Sequence, residues 1–216
     1  MKPIYLTLLV AALAVVATGV AQDKQDRQPA RKAPQDAPPA ARPGAEPTVD
    51  ELITGLKDPD ARKRRLAALT LGHRGPQALP AVPALVAVLK GDKEPAVRSH
   101  AAEALGGIGV TARAAVPDLL NALKDPDALV RETAAEALAD IGADSAKVVP
   151  ALTNLLTDAD MNVRCAAAHS LGDFGQAAQS AVPALKKAQQ DKHPFVREAA
   201  GDALKAIDRA ARKVGS

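Results

Sequence analysis

The stretch "LKDPDALVRETAAEALADIG", residues 123–142, decides the fold. A polar break, "KDPD", is followed by a Val-Arg pair and then by small apolar residues at helical spacing. Laying the chain over itself on the arginine of that pair shows that the stretch is written five times. Arg98, Arg131, Arg164 and Arg197 stand 33 residues apart, and Arg64 lies 34 before Arg98. Six residues before each is an aspartate: Asp58, Asp92, Asp125, Asp158 and Asp191. Seven residues after each is a leucine: Leu71, Leu105, Leu138, Leu171 and Leu204. Gly75, Gly109, Gly142 and Gly175 follow the first four arginines by eleven, and Val-Pro recurs at Val82, Val116, Val149 and Val182. Fixed positions repeated at this period are the mark of a solenoid, in which each unit buries its apolar face only against its neighbours. The fold class expected is all-α: an α-solenoid, or superhelix, of five stacked two-helix repeats.

Each unit holds two helical patterns. In "AVPDLLNALKD", Pro117 fits a first helical turn, where its missing N–H costs nothing. Val116, Leu119, Leu120 and Leu123 then form one apolar stripe. Asp125 is expected to cap the second helix with Pro126 at its first position. Pro95 and Pro194 sit later in units two and five, so a shifted helix start is expected there. The second helix carries Val130, Ala134, Ala137, Leu138 and Ile141 on one face and ends at Gly142, a residue tolerant of the left-handed conformation. Its alanines favour the helix and let neighbouring helices approach closely. Asp58, Asp92, Asp125, Asp158 and Asp191 recur with Arg64, Arg98, Arg131, Arg164 and Arg197 where one unit turns into the next. A ladder of charge-assisted hydrogen bonds is therefore expected, a structural role rather than a catalytic one. Thr48 and Glu51 form a capping-box pattern, and Lys63 and Arg65 make unit one polar, as a terminal repeat must be.

The flanks differ from the repeats. Lys2, the apolar run Ile4 to Val16 and the small residues Gly19-Val20-Ala21 have the layout of a secretory signal peptide over residues 1–21. The alternative is an uncleaved anchor, since the uncharged stretch approaches the ~20 residues that span a bilayer. Residues 22–47 are rich in Pro, Gln, Ala and mixed charges and hold no large apolar residue, so they read as a disordered, semi-extended linker. The repeat domain is expected over 48–216, with repeats at about 48–75, 78–109, 112–142, 145–175 and 178–210. The single cysteine, Cys165, cannot form an internal disulfide. The sequence pI is about 9.0. Yet residues 48–204 hold 18 basic and 20 acidic side chains, a net of −2. The basic excess lies at the ends and says little about a binding face. Export without disulfides suits a bacterial periplasm or cell envelope.

The pattern "AVPALVAVLKGDKEPAVRSHAAEALGGIG", residues 81–109, resembles the HEAT-repeat family, in particular the short variant of phycobilisome lyases. The resemblance runs from residue 48 to about 208. It implies right-handed stacking, with first helices on the convex side and second helices lining a concave groove, and a binding scaffold rather than an enzyme. His73, His100, His169 and His193 are not followed by glutamate, so the iron site of a related hydroxylase is not expected. With no Trp, and only Phe174 and Phe195 after the leader, base-stacking platforms like those of nucleic-acid binders are missing. Phe174 stands where Ile108 and Ile141 stand and is expected in the core.

Two positions on the second helix describe the groove: Arg65/Leu69, Ser99/Glu103, Glu132/Glu136, Cys165/His169 and Glu198/Asp202. The first of each pair is expected to be at least partly exposed. Glu103, Glu132, Glu136, His169, Glu198 and Asp202 are the candidate partner-binding residues, suited to basic or mixed-charge protein segments. Simple solvating charge explains them equally well. Cys165 and His169 share a helix face, but two ligands without a third make no zinc site. No catalytic residue, metal or cofactor is expected, and no nucleic acid; a membrane enters only if residues 1–21 remain. The expected function is that of an exported scaffold for protein–protein interaction. The alternatives are an accessory lyase or chaperone for a bilin-type chromophore, or weak nucleic-acid binding through Lys205, Arg209, Arg212 and Lys213.

Overall fold

A computed structural model describes residues 46–214, and the expectations for the signal peptide and most of the linker lie outside them. Among the described residues the chain is all-α. The helices are α1 Val49–Gly55, α2 Ala61–His73, α3 Val82–Gly91, α4 Pro95–Ile108, α5 Val116–Ala122, α6 Ala128–Asp140, α7 Ser145–Leu155, α8 Met161–Asp173, α9 Val182–Ala188 and α10 Pro194–Val214. They form five pairs. The even-numbered helices pack in series, α2 on α4, α4 on α6, α6 on α8 and α8 on α10, and the odd-numbered helices form the other layer.

The first turn of α1 closes with a capping box: the Thr48 hydroxyl accepts from the Glu51 amide, and the Glu51 side chain accepts from the Thr48 amide. All five second helices begin three residues before their arginine, at Ala61, Pro95, Ala128, Met161 and Pro194. The shift expected from Pro95 and Pro194 does not occur, because proline at the first helical position simply fills the register that alanine or methionine fills elsewhere. The cap is likewise not Asp125 but Asp127, whose side chain accepts from the Leu129 amide; Asp60 and Asp160 do the same for α2 and α8. Asp125 is one turn too early to reach those amides and serves another purpose.

Pairs one to two, two to three and four to five are joined by 3-10 helices, Gly75–Ala81, Gly109–Ala115 and Gly175–Ala181. Each opens on a glycine of positive φ, as at Gly109 with φ +73°, a backbone region that glycine enters without a side-chain clash. The third joint departs from this. Asp144 caps α7 four residues earlier than the others start, so Pro150 lies inside the helix rather than in its first turn.

The core runs the length of the stack. Leu85, Leu119, Leu152 and Leu185 from first helices are fully buried against Leu71, Leu105, Leu138 and Leu171 from second helices. Leu204, on the last second helix described, is only partly buried. Phe174 is also only partly buried, packed at the core's edge as the C-cap of α8, whereas Ile108 and Ile141 are enclosed. Between second helices the backbones nearly touch. A Cβ added to Gly72 would stand 2.9 Å from the Ala104 Cα, one on Gly106 3.0 Å from the Ala137 Cα, and one on Gly172 3.1 Å from the Ala203 Cα. At the α6–α8 joint Ala139 replaces the glycine, and the buried Ser170 hydroxyl donates to the Ala135 carbonyl at 3.1 Å.

Candidate protein-binding face and the ladder behind it

The repeated aspartates and arginines lie at the loop edge between layers. Each arginine reaches the aspartate of the following unit with both prongs of its guanidinium. Nε and Nη2 of Arg64 donate to Asp92 at 2.6 and 2.9 Å, and those of Arg98 to Asp125 at 2.9 and 2.7 Å. Arg131 binds Asp158 at 2.9 and 2.7 Å, and Arg164 binds Asp191 at 2.8 and 3.0 Å. The remaining Nη1 turns back to its own unit, donating to the carbonyls of Asp58, Asp92, Asp125, Asp158 and, from Arg197, Asp191. Each aspartate also accepts the amide two residues on, such as that of Asp127 on Asp125 at 2.9 Å. Bidentate, charge-assisted geometry of this kind fixes both groups.

The carboxyl groups respond accordingly. Burial pushes Asp92, Asp125 and Asp158 up, but the guanidinium donors and the loop amides outweigh it and hold all three below the ordinary range. The row has two open ends. Among the described residues Asp58 receives no arginine from another unit and takes Lys63 at 3.2 Å instead, and Arg197, exposed, faces no carboxylate.

The candidate binding residues lie elsewhere, on the outward side of the second helices. Glu103, Glu136, His169, Glu198 and Asp202 are exposed, and Glu132 is half-buried. Ser99 is buried at 2 % exposure, against the exposure expected for its position, because a small hydroxyl there is overhung by its neighbours. Glu103, Glu132 and Asp140 stand close enough to Glu136 to act on it. Burial first, then the charges of Glu132, Asp140 and Glu103, push the Glu136 carboxyl up. Burial and Asp160 raise Glu132; burial and Asp173 raise Asp140. Among the described residues no lysine or arginine offsets these three groups. Asp140 and Asp173, nine residues after their arginines, were missed in the sequence reading; continuing the groove pattern by one more helical turn finds both.

The other candidates do not join this cluster. Asp202 is held low by Lys205, which donates to it at 2.8 Å, and His169 adds a weaker pull. Glu198 and Asp202 lie on α10, beyond the α8 face. The same outward side also carries large apolar residues: Leu66, Leu129 and Phe195 are 62, 45 and 65 % exposed. Burial pushes the Cys165 thiol up against the pull of Arg164, with Asp191, Glu132 and Asp160 adding to the rise, so a reactive thiolate is disfavoured beside His169. Among the described residues no group of three or more His, Cys, Asp or Glu side chains is placed to hold a metal ion. No described helix is long and apolar enough to cross a membrane. The basic C-terminal segment is the last part of α10, where Arg212 pairs with Asp208 at 2.8 Å.

Comparison with known proteins agrees with this architecture. The complex of CpcE and CpcF of phycocyanin lyase from Nostoc sp. PCC7120 is similar over 82 % of this chain and 70 % of that one, with 29 % identity and a TM-score of 0.66. An engineered protein is similar over 76 % of this chain and 85 % of its own, at 26 % identity and a TM-score of 0.58. A designed armadillo repeat protein in complex with the peptide (KR)4 shares the fold at 22 % identity, covering 74 % and 81 % of the two chains with a TM-score of 0.60. None of the curated proteins matches the sequence. The profile of HEAT repeats matches residues 49–139 and 116–205. Those two spans run through all five helix pairs, and the chain belongs to the HEAT-repeat family.

Proposed function

We propose that the protein is an exported, non-catalytic scaffold that holds a basic or mixed-charge segment of a partner protein on the outward face of its second helices. The observation that carries the reading is the run of carboxylates at Glu103, Glu132, Glu136 and Asp140: the charges of Glu132, Asp140 and Glu103 all bear on Glu136, and no cation among the described residues is paired with it. An arriving lysine or arginine removes that mutual repulsion, so the face gains most from a positively charged segment. Leu129 and Phe195 on the same side supply apolar contact. The layout of residues 1–21 supports export to a periplasm or envelope.

The test is fluorescence anisotropy of a labelled lysine- and arginine-rich octapeptide. Binding should weaken with salt, and the double change Glu132→Lys, Glu136→Lys should lower affinity at least tenfold while helical content is unchanged. Equal binding by that variant would remove the reading.

A second reading is favoured by one observation, the 29 % identity to the phycocyanin lyase complex. On it, the chain assists attachment or handling of a bilin-type chromophore. Incubation of the purified protein with a linear tetrapyrrole, followed by absorbance spectroscopy, separates the two: a shifted pigment band supports the second reading, and an unshifted one removes it.

A further inference from the structure

The irregular third joint leaves a groove in the layer of first helices, away from the face described above. Val116, Pro117 and Leu120 of α5 form one wall, and Ala143 and Lys147, at and before the start of α7, form the other, around about 360 Å³. Arg113, in the 3-10 helix before α5, closes the rim. Leu120 and Val116 are only partly buried. The register of Leu120 is apolar in units one to three, as Ile53, Val86 and Leu120, and is held by Thr153 in unit four and Lys186 in unit five; beside Leu120 the early start of α7 opens the groove.

The charges around the groove point to what fills it. Arg113 and Lys147 are both exposed, and neither forms an ion pair among the described residues. Asp144, which also lines the groove, caps α7 by accepting from the Ala146 amide at 3.1 Å, and its charge offsets only one of the two cations. Two unpaired cations flanking an apolar slot complement an apolar side chain with carboxylates beside it. A slot of this size, open along its length, holds one branched side chain and the backbone that carries it.

We propose that this groove docks an extended segment of a partner protein presenting a leucine- or isoleucine-sized side chain flanked by acidic residues. The two layers then offer surfaces of opposite preference, carboxylates on the second helices and cations with an apolar slot on the first. A scaffold of this design holds two chemically distinct segments at once, on opposite sides of a rod.

The experiment is an array of octapeptides with Leu, Ile, Phe or Ser at the centre and Glu, Ser or Lys beside it, together with peptides tiled from residues 1–47, followed by anisotropy of the best binder against the full chain. Enrichment of Leu or Ile flanked by Glu is expected. Leu120→Lys, which copies the residue of unit five, should weaken that binding at least tenfold, and Arg113→Glu with Lys147→Glu should do the same without touching the apolar wall. Glu132→Lys with Glu136→Lys should leave it unchanged, so this docking and the second-helix reading fail separately. The proposal is overturned if no peptide of the acidic–apolar class binds, or if neither groove variant weakens it. It is also overturned if the chain's own segment is the best binder, if dodecanoate displaces the peptide, or if Leu120→Lys abolishes self-association of the chain in sedimentation.

Discussion

At the scale of single residues, the arginine of each of the first four units does two jobs with one planar group: it reaches forward to the next aspartate and back to its own loop. Lysine has no fork and would satisfy only one partner. The aspartate in turn holds its own loop through the amide two residues on, so a change at either residue loosens two units. The pair Arg131–Asp158 is enclosed, with side chains 15 and 11 % exposed. Asp158→Ala leaves the guanidinium without its carboxylate, and chemical denaturation should show a loss of about 2–3 kcal/mol. Asp58→Ala, at the open end, should cost less, because an exposed lysine and the Asp60 amide lose their partner but no enclosed guanidinium does. A ladder of equal rungs would instead give equal losses. The identity of these residues was legible in the sequence from their recurrence. Their direction was not: nothing in the spacing says that Arg98 passes its own Asp92 side chain and takes Asp125, 27 residues on.

At the scale of helices, the seams between units are set by small residues. Glycine eight after each of Arg64, Arg98 and Arg164 faces alanine six after the next arginine, close enough that a methyl group has no room. Gly106→Val should therefore destabilise the fold by about 1–3 kcal/mol through overpacking against Ala137. Gly91→Ala, where nothing lies within 4 Å, should lose nothing by the same denaturation measurement. At the last unit Lys205 stands at the glycine register, and its long charged side chain takes the place a sixth unit's helix would need. At the first unit Thr70 stands at the register of Ala104, Ala137 and Ala203, and Lys63 at that of the buried Val97, Val130, Val163 and Val196. Each terminal unit of the described stack thus carries a long polar side chain, Lys63 or Lys205, where the interior units carry Val or a small residue. Helix number and order were legible from periodicity, but the 3-10 joints were not. Their residues, such as Gln77 to Pro80, carry no apolar period, and only packing beneath them selects the tighter turn.

At the scale of the molecule, the opposite preferences of the two layers come from sequence positions the repeat leaves free. The core, the seams and the ladder use nearly every repeated residue, so whatever the protein recognises is written in the variable ones. This is why the second-helix face was partly legible, through Glu103, Glu132 and Glu136, while the α5–α7 groove was not: it arises from an early start of α7 that no single residue announces. The account rests on units that support one another in series, each burying its apolar face on the next. Excision of residues 112–144, one full period, tests this most directly by circular dichroism and urea denaturation of the shortened chain. Helicity per residue of the repeat region should be unchanged, unfolding should remain cooperative, and the m-value should fall by about one fifth. Loss of helix or of a cooperative transition in that four-unit chain would contradict the account.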